Sequence, residues 1–426
     1  MHYKFPESFY FGASTSAHQV EGANRNDWTE WEHANARRLA QIARVSTGNT
    51  KRSAISDRHA FARNLTSGIA NPLNPKNYIS GLASDHYRRF NEDFDIAKSL
   101  GHNAHRFSIE WSRIEPEEGK WSERELAHYK EVIRALRARN LEPFVTLWHF
   151  TLPIWLAEKG GVLNPRFPYY FNRYAQKVAH ALGADVHFWL TINEPEIYAL
   201  NAYGRGSWPP GKEGLANYYR ALTQMIGAHH KAYRTIRKHS LLSKVGVACN
   251  LSYFESAGGP VNAVIKRAAE ELWNFHFLSR TTKSLDFIGL NYYFRNRVNY
   301  GLNKNPHHRV SDMGWDLHPE GIRPVLQGLA HFKKPIYVTE NGLADAEDTH
   351  RPWFIEKTLH AIAEAMYHDN VDVRGYFYWS LLDNFEWDKG FWPRFGLVEV
   401  DYETFARKVR PSAETYKKII KNGLVL

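Results

Sequence analysis

Eight short runs of β-branched and aromatic residues recur along this chain of 426 residues, and they limit its fold more than any other feature. The runs are FYFGAS, NAHRFSI, EPFVTLWHF, HFWLTIN, VGVACNL, DFIGLNYY, PIYVTEN and RGYFYWS. Most are near-continuous apolar segments, which are typical of parallel strands covered on both faces. Between them lie segments such as SERELAHYKEVIRALRARN, in which apolar residues repeat every three or four positions, as in amphipathic helices. Eight strands alternating with helices predict an α/β fold, a single closed (β/α)8 or TIM barrel.

No boundary between domains is visible in the sequence. The length fits one large barrel, and no Pro-, Gly- or Ser-rich linker divides the chain, so we expect residues 1–426 to form one domain. Ser122 stands three residues before Glu125, a capping-box spacing that predicts a helix start. The exception to the strand–helix rhythm is a polar excursion over residues 34–84. We expect it to be a loop that carries a helix, on the face where barrels place their insertions.

Cysteine and histidine usage excludes several kinds of site. Cys249 is the single cysteine, which excludes a disulfide framework, a cysteine-built zinc site and an iron–sulfur cluster. The 22 histidines include no spacing such as H-E-x-x-H, and the adjacent His229 and His230 would point in different directions on a helix. We therefore expect no metal and no cofactor.

Charge and hydropathy narrow the range of partners. The net charge is +10, but Lys and Arg are scattered among Asp and Glu, so nucleic-acid binding is only a minor alternative. No segment has the apolar length needed to span a bilayer, and the start MHYKFPESFYFGAS lacks the pattern of a signal peptide. The sequence predicts a cytoplasmic protein that has no membrane partner and no nucleic-acid partner.

Polar and acidic side chains gather at the ends of the predicted strands, which converge on one face of a barrel. These strand-end residues are Gln19, Arg106, His149, Asn193, Glu194, Asn291, Tyr293, Glu340 and Trp379. Glu194 in TINEP and Glu340 in TENG follow the fourth and seventh strands, on opposite sides of the barrel. Two carboxyl groups facing one cavity suit glycoside cleavage, where one protonates the leaving oxygen and the other attacks or stabilises the oxocarbenium ion. One such glutamate alone would be equally compatible with a structural ion pair, but two favour catalysis.

A set of motifs in fixed order resembles the β-glycosidases of glycoside hydrolase family 1 over nearly the whole chain. The motifs are FGASTSAHQVEG, HRFSIEWSRIEP, TLWHFTLP, TINEP, FIGLNYY, GWDLHPEG, VTENG, YWSLLDNFEW and RFGLVEVDY. The resemblance implies that Glu194 is the general acid/base, that Glu340 is the nucleophile and that Tyr293 hydrogen-bonds the nucleophile. Arg106 beside Glu340 would favour its ionised form, and Asn193 can hydrogen-bond the sugar 2-hydroxyl.

The resemblance also implies a set of sugar-binding residues. They are Gln19, His149, Asn291, Glu386 and Trp387, with Trp379 as an aromatic floor and Trp315 on the leaving-group side, where a purely structural tryptophan is an equal alternative. The Glu386–Trp387 pair favours unphosphorylated sugars, because the 6-phospho-sugar members of the family generally replace it.

The implied activity is that of a retaining exo-β-glycosidase, an O-glycosyl hydrolase. It would release terminal β-linked glucosyl, galactosyl or fucosyl units from small glycosides through a covalent glycosyl-enzyme. Two alternatives are a transglycosidase, which shares every catalytic residue, and a carbohydrate-binding barrel with little turnover. The preferred sugar, the linkage, the aglycone and the oligomeric state stay open at this point.

The sequence departs from the family pattern in three places. Phe150 and Thr151 stand where the family usually has Trp-Asp. The long segment that normally precedes the sixth strand is almost absent between ELWNFHFL and SLDFIGLNYY, which predicts a short barrel rim and an open entrance. The excursion over residues 34–84 is longer than its family counterpart and is an alternative source of the missing wall.

Overall fold

Eight parallel strands close into a barrel in the computed structural model, which describes residues 3–48 and 68–425. The barrel strands are β1 Tyr10–Ser14, β2 Ala104–Ser108, β3 Glu142–Trp148, β4 Phe188–Asn193, β5 Lys244–Asn250, β6 Phe287–Asn291, β7 Ile336–Asn341 and β8 Val373–Trp379. Each strand pairs with its neighbour in the chain, and β8 pairs with β1 to close the barrel. Every predicted run forms one of these strands, so the prediction of a (β/α)8 barrel is confirmed.

Helices follow the strands and cover the outside of the barrel. The longer ones are His86–Ser99, Glu123–Ala138, Phe167–Leu182, Leu215–His239, Pro260–Ala269, Ile322–Leu329, Arg351–His368 and Pro411–Asn422. The helix Glu123–Ala138 begins at the predicted cap, where the Ser122 side chain accepts a hydrogen bond from the backbone N–H of Glu125. Its buried residues include Leu126, Ile133 and Leu136, the spacing of an amphipathic face packed on a core.

A layer of mostly aromatic side chains fills the inside of the barrel below the strand ends. It contains one residue from each of β2 to β8, namely Ala104, Phe144, Leu190, Ala248, Phe287, Tyr337 and Phe377, and Tyr10 of β1 packs against them. Phe144 stacks on Phe188 with ring centroids 4.2 Å apart. The inside of the barrel is therefore a packed core, and barrels of this kind place their ligand sites at the carboxyl ends of the strands.

The excursion predicted over residues 34–84 contains the larger part of a long helix, Asp27–Gly48. In the described part it continues with two short 3₁₀ turns, Gly68–Ala70 and Pro75–Tyr78, whereas residues 49–67 lie outside the described residues. Ala36 and Ala40 of the helix form a small buried cluster with Tyr78. The helix is thereby fixed against the second half of the excursion.

The connection from β5 to β6 is almost entirely helical. A short strand, Tyr253–Ser256, is followed by the helix Pro260–Ala269, a π-helical turn Glu270–Phe275 and the helix His276–Thr281. The 3₁₀ turn Thr282–Ser284 then leads into β6. Tyr253–Ser256 pairs with Arg295–Val298, which follows β6, so the two connections share a small sheet at the rim. This is the short connection that the sequence predicts.

Candidate active site

A cavity of about 480 Å³ opens at the carboxyl ends of the barrel strands. Most of the predicted site residues line it, namely Gln19, His149, Asn193, Glu194, Tyr293, Trp315, Glu340, Trp379, Glu386 and Trp387. The two other predicted residues, Arg106 and Asn291, are fully buried beneath this lining and bond to its carboxyl groups. The sequence analysis selected polar residues at the ends of predicted strands, which we call the strand-end rule. The fold does bring these residues together.

Glu340, near the end of β7, is held by a donor on each carboxylate oxygen. Arg106 Nη1 donates to Oε1 at 2.5 Å, and the Tyr293 hydroxyl donates to Oε2 at 2.6 Å. Only 1% of Arg106 and 3% of Glu340 are exposed, so little water screens the ion pair. Glu340 thus faces a fixed positive charge, an arrangement that suits a carboxylate nucleophile.

Arg106 is also the centre of a network that joins several strands. Its Nε donates to Thr146 Oγ1 of β3 at 3.1 Å, and its Nη2 donates to Asn193 Oδ1 of β4 at 2.7 Å. Close approach of the neighbouring strand is possible because residue 342 of the TENG motif is glycine: a Cβ on Gly342 would lie 1.9 Å from the carbonyl oxygen of Trp379. The position of Glu340 therefore depends on the packing of β2, β3, β4 and β8.

Glu194 directly follows β4 and has a left-handed backbone, with φ 40° and ψ 61°, which turns the chain sharply into the helix Pro195–Ala199. Its Oε1 accepts hydrogen bonds from Asn250 Nδ2 at 2.9 Å and from Asn291 Nδ2 at 2.8 Å. Burial and the charge of Glu340 raise the pKa of Glu194 to about 8. Glu194 is therefore mostly protonated at neutral pH. Because two amides occupy Oε1, the proton resides on Oε2.

The imidazole of His149 is fixed as a neutral hydrogen-bond donor. Arg106 occupies Asn193 Oδ1, which sets the orientation of the amide, so Asn193 Nδ2 donates to His149 Nε2 at 3.0 Å. Burial and the Arg106 charge lower the pKa of His149 well below its usual value. The ring proton is then on Nδ1, which is buried and has no partner within residues 3–48 and 68–425. The ring of His149 lines the cavity.

Two tryptophans and two polar side chains form the rest of the wall. His149 stacks on both Trp379 and Trp387, each with ring centroids 5.9 Å apart. Gln19 Nε2 donates to Glu386 Oε2 at 3.2 Å, and burial together with neighbouring carboxylates raises the pKa of Glu386 to about 8. Sugars present apolar C–H faces and a rim of hydroxyl groups, so ring faces next to amide and carboxyl groups are suited to bind them.

Trp315 lies at the cavity wall and also packs against its neighbours. Its ring centroid is 5.6 Å from that of Tyr293 and 6.0 Å from that of Phe395. The structural and the ligand-lining alternatives for Trp315 are therefore compatible.

The residues that replace the family's Trp-Asp have separate roles in the structure. Phe150 lines the cavity and contacts Trp387 with ring centroids 5.1 Å apart. The Thr151 hydroxyl donates to Glu110 Oε2 at 2.9 Å in the buried surroundings of the cavity. Phe150 thus lacks the N–H donor of the tryptophan that the family pattern has at this position.

Sequence reasoning missed several residues of the site. Asn250 is the last residue of β5, and the strand-end rule, applied there, would have found it. Asn201, Arg205, Ser207 and Trp208 line the cavity from the segment after the helix Pro195–Ala199. Their sequence has no pattern that marks them, because an irregular connection brings them to the cavity.

Neither a metal centre nor a membrane span is found in the described residues. Within residues 3–48 and 68–425, no group of three or more His, Cys, Asp or Glu side chains is arranged to hold a metal ion. No helix in these same ranges is both long enough and apolar enough to cross a membrane. Cys249 is buried on β5.

Comparison with known proteins identifies the family. The family model described as glycosyl hydrolase family 1 matches residues 1–284 and 277–424. The chain belongs to glycosyl hydrolase family 1. A 1,4-β-D-glucan glucohydrolase of Thermotoga neapolitana is 31% identical and aligns over 99% of both chains.

Solved structures of family 1 enzymes agree with this assignment. The β-glycosidase from Pyrococcus horikoshii has a TM-score of 0.84 at 34% identity, covering 100% of this chain and 97% of that chain. The β-glucosidase from Thermotoga maritima in complex with glucoimidazole has a TM-score of 0.83 at 28% identity, covering 99% of each chain. This family 1 member is a retaining exo-β-glycosidase.

The two stretches of the family match overlap over residues 277–284, in the shortened connection between β5 and β6. The alignment with the Thermotoga neapolitana relative spans 474 positions, more than the 426 residues of this chain. The enzyme thus has the family barrel with a reduced rim beside β6.

Proposed function

We propose that this family 1 enzyme removes a terminal, unphosphorylated β-linked glucosyl, galactosyl or fucosyl unit from a small glycoside, with Glu340 as nucleophile and Glu194 as general acid/base. The main support for this proposal is that the two carboxyl groups of the cavity have different surroundings. Glu340 is paired with Arg106, whereas burial and the charge of Glu340 raise the pKa of Glu194 to about 8. The ion-paired Glu340 is suited to act as the nucleophile, and the protonated Glu194 supplies the acid that the first step needs.

The first step forms the covalent intermediate. The Glu340 carboxylate attacks the anomeric carbon, while the proton on Glu194 Oε2 is transferred to the glycosidic oxygen and the aglycone leaves as an alcohol. Ester formation removes the negative charge of Glu340, one of the two main causes of the raised pKa of Glu194. Glu194, now ionised, then accepts a proton from the water that releases the sugar from Glu340.

Sugar recognition is assigned to the part of the cavity wall that carries Trp379 and Trp387. His149, Gln19 and Glu386 bond hydroxyl groups of the sugar. The ring faces of Trp379 and Trp387 contact its C–H groups. Asn193, with one amide hydrogen engaged by His149, has a second that suits the 2-hydroxyl. The names of the relatives, a glucan glucohydrolase and a glucosidase, support glucose as the first sugar to test.

The physiological partner in this proposal is a small-molecule glycoside, with neither nucleic acid nor membrane involved. The cytoplasmic location expected from the sequence is part of the same proposal. The assignment of residues 1–426 to one domain is also part of this proposal.

A panel of aryl β-glycosides tests the proposal, because chromophore release reports both turnover and sugar preference. Glu340→Gln removes the attacking carboxylate at nearly constant volume, so activity on every substrate should fall to a small residual rate. Glu194→Ala should still react with dinitrophenyl glycosides, whose leaving groups need no proton, but not with poor leaving groups. Equal losses on good and poor leaving groups would remove Glu194 from the acid/base role.

A further inference from the structure

A second cavity of about 540 Å³ lies beside the active-site cavity and is continuous with it. The two share the lining residues Arg205, Ser207, Met313, Asp388 and Lys389. The active-site cavity therefore extends outward as one cleft, from the two glutamates to the helix Asp27–Gly48. We name the second cavity the outer groove, lined among others by Leu39, Ile42, Ala43, Tyr78, Met313 and Trp392.

Aliphatic side chains dominate the apolar lining of the outer groove. Leu39, Ile42 and Ala43 come from adjacent positions on the helix, and Met313 comes from the connection after β6. Ile42, a large aliphatic side chain of the groove lining, is 50% exposed. Such a surface gains free energy by contacting another apolar group, in proportion to the area covered.

Charged and polar side chains also line the outer groove, among them Arg38, Asp388 and Lys389, and several of them form hydrogen bonds within the protein. Asp388 accepts hydrogen bonds from Trp208 Nε1 at 3.1 Å and from Lys389 Nζ at 3.0 Å, and the Tyr78 hydroxyl donates to the Pro72 carbonyl. Arg38 Nε donates to Asn35 Oδ1 at 3.0 Å. The outer groove thus differs from the sugar wall, where Gln19, His149 and Glu386 surround two ring faces.

We propose that the outer groove binds the apolar part of an amphiphilic aglycone, so that preferred substrates are β-glycosides of long-chain alkyl alcohols. This proposal rests on the proposed function, because the sugar must occupy the active-site cavity for its aglycone to enter the groove. The wall on this side comes from the excursion predicted at residues 34–84, through the described helix Asp27–Gly48. In this proposal the helix Asp27–Gly48 determines aglycone selectivity. The alternative is that the short rim at β6 leaves the entrance open and selectivity weak.

A series of alkyl β-glucosides tests the proposal, with methyl, hexyl, octyl and decyl chains assayed below their micelle concentrations. Each methylene that enters the groove should raise kcat/KM about two- to fourfold. Ile42→Glu should reduce the ratio of kcat/KM for the decyl and methyl glucosides at least tenfold, and Ile42→Leu should preserve it. Val45→Glu is the matched control, because Val45 is on the same helix, is 60% exposed and does not line the groove.

Two results would overturn the proposal: kcat/KM independent of chain length, or the same chain-length dependence in Ile42→Glu as in the natural sequence. A rise along cellobiose, cellotriose and cellotetraose, with none along the alkyl series, would assign the groove to further sugar units and overturn it as well. Calorimetric binding of octyl and methyl β-glucosides to Glu340→Gln separates this proposal from the proposed function. Tighter binding of the octyl compound, reduced by Ile42→Glu, supports the groove even if no glycoside is hydrolysed; equal binding of both compounds contradicts it.

Discussion

The hydrogen bond from Asn250 to Glu194 allows a quantitative test of how the acid is tuned. Asn250 Nδ2 donates to Glu194 Oε1 at 2.9 Å and favours the ionised form of Glu194, opposing the effect of burial on its pKa. Asn250→Leu keeps a similar side-chain shape and removes the donor. The pKa of Glu194 should therefore rise above its present value of about 8.

The size of the effect follows from the energy of the bond. A hydrogen bond to a charged group contributes about 1.5–3 kcal/mol, and Asn291, which donates to the same oxygen at 2.8 Å, compensates for part of the loss. A net difference of about 1.4 kcal/mol corresponds to one pH unit. Because Glu194 must be protonated to act, activity is lost as the pH rises through its pKa. The alkaline limb of kcat/KM should move upward by about one pH unit in Asn250→Leu.

The assay is the pH dependence of kcat/KM on an aryl glucoside with a poor leaving group, for which proton transfer limits the rate. Asn201→Leu serves as control, because Asn201 lines the cavity and its side-chain oxygen accepts a hydrogen bond from the Ser207 hydroxyl, not from Glu194. The alkaline limb of that variant should stay where it is in the natural sequence. A limb that moves downward or does not move in Asn250→Leu would refute the role assigned to the hydrogen bond.

Three further predictions concern stability and stereochemistry. Arg106→Met leaves Glu340 as a buried unpaired charge and should cost about 3–5 kcal/mol of folding free energy, seen in calorimetry as a fall in Tm of about 3–6 °C; an unchanged Tm would contradict the ion pair. Burial raises the pKa of Glu196 to about 8, so the folded protein loses stability as the pH rises from the unfolded pKa toward 8. Glu196→Gln should remove that loss. Measured by urea unfolding, the free energy of unfolding of the variant relative to the natural sequence should increase by up to about 3 kcal/mol from pH 4 to pH 7. A difference that does not change with pH would contradict this prediction. Proton NMR early in turnover should show the β anomer of the product first, and initial appearance of the α anomer would exclude double displacement.

The barrel could be predicted from sequence because its strands are buried on both faces. Segments such as EPFVTLWHF and PIYVTEN carry apolar residues at nearly every position, a pattern that surface strands lack. The predicted helix start at Ser122 was also correct, since capping depends on residues close in the chain.

The candidate site was predictable where it depends on strand ends, and not where it depends on irregular connections. Glu194 and Glu340 lie at strand ends, whereas Arg205 and Trp208 reach the cavity through a segment whose path is set by tertiary packing. Asn291 was predicted as a substrate-binding residue, and the structure places its amide on Glu194 Oε1 beneath the lining. We therefore assign Asn291 a positioning role, which a strand-end rule cannot distinguish from direct binding.

The central claim, that Glu340 is the nucleophile, is tested most directly by trapping the intermediate. In 2-deoxy-2-fluoro-β-D-glucosyl fluoride, the fluorine at C2 slows both chemical steps, while the good leaving group allows the first step to proceed. The glycosyl-enzyme should accumulate, and mass spectrometry of the digested protein should locate one fluoroglucosyl ester on Glu340, in the peptide that contains VTENG. A label on Glu194 or Glu386, or inactivation without any covalent sugar, would contradict the assignment.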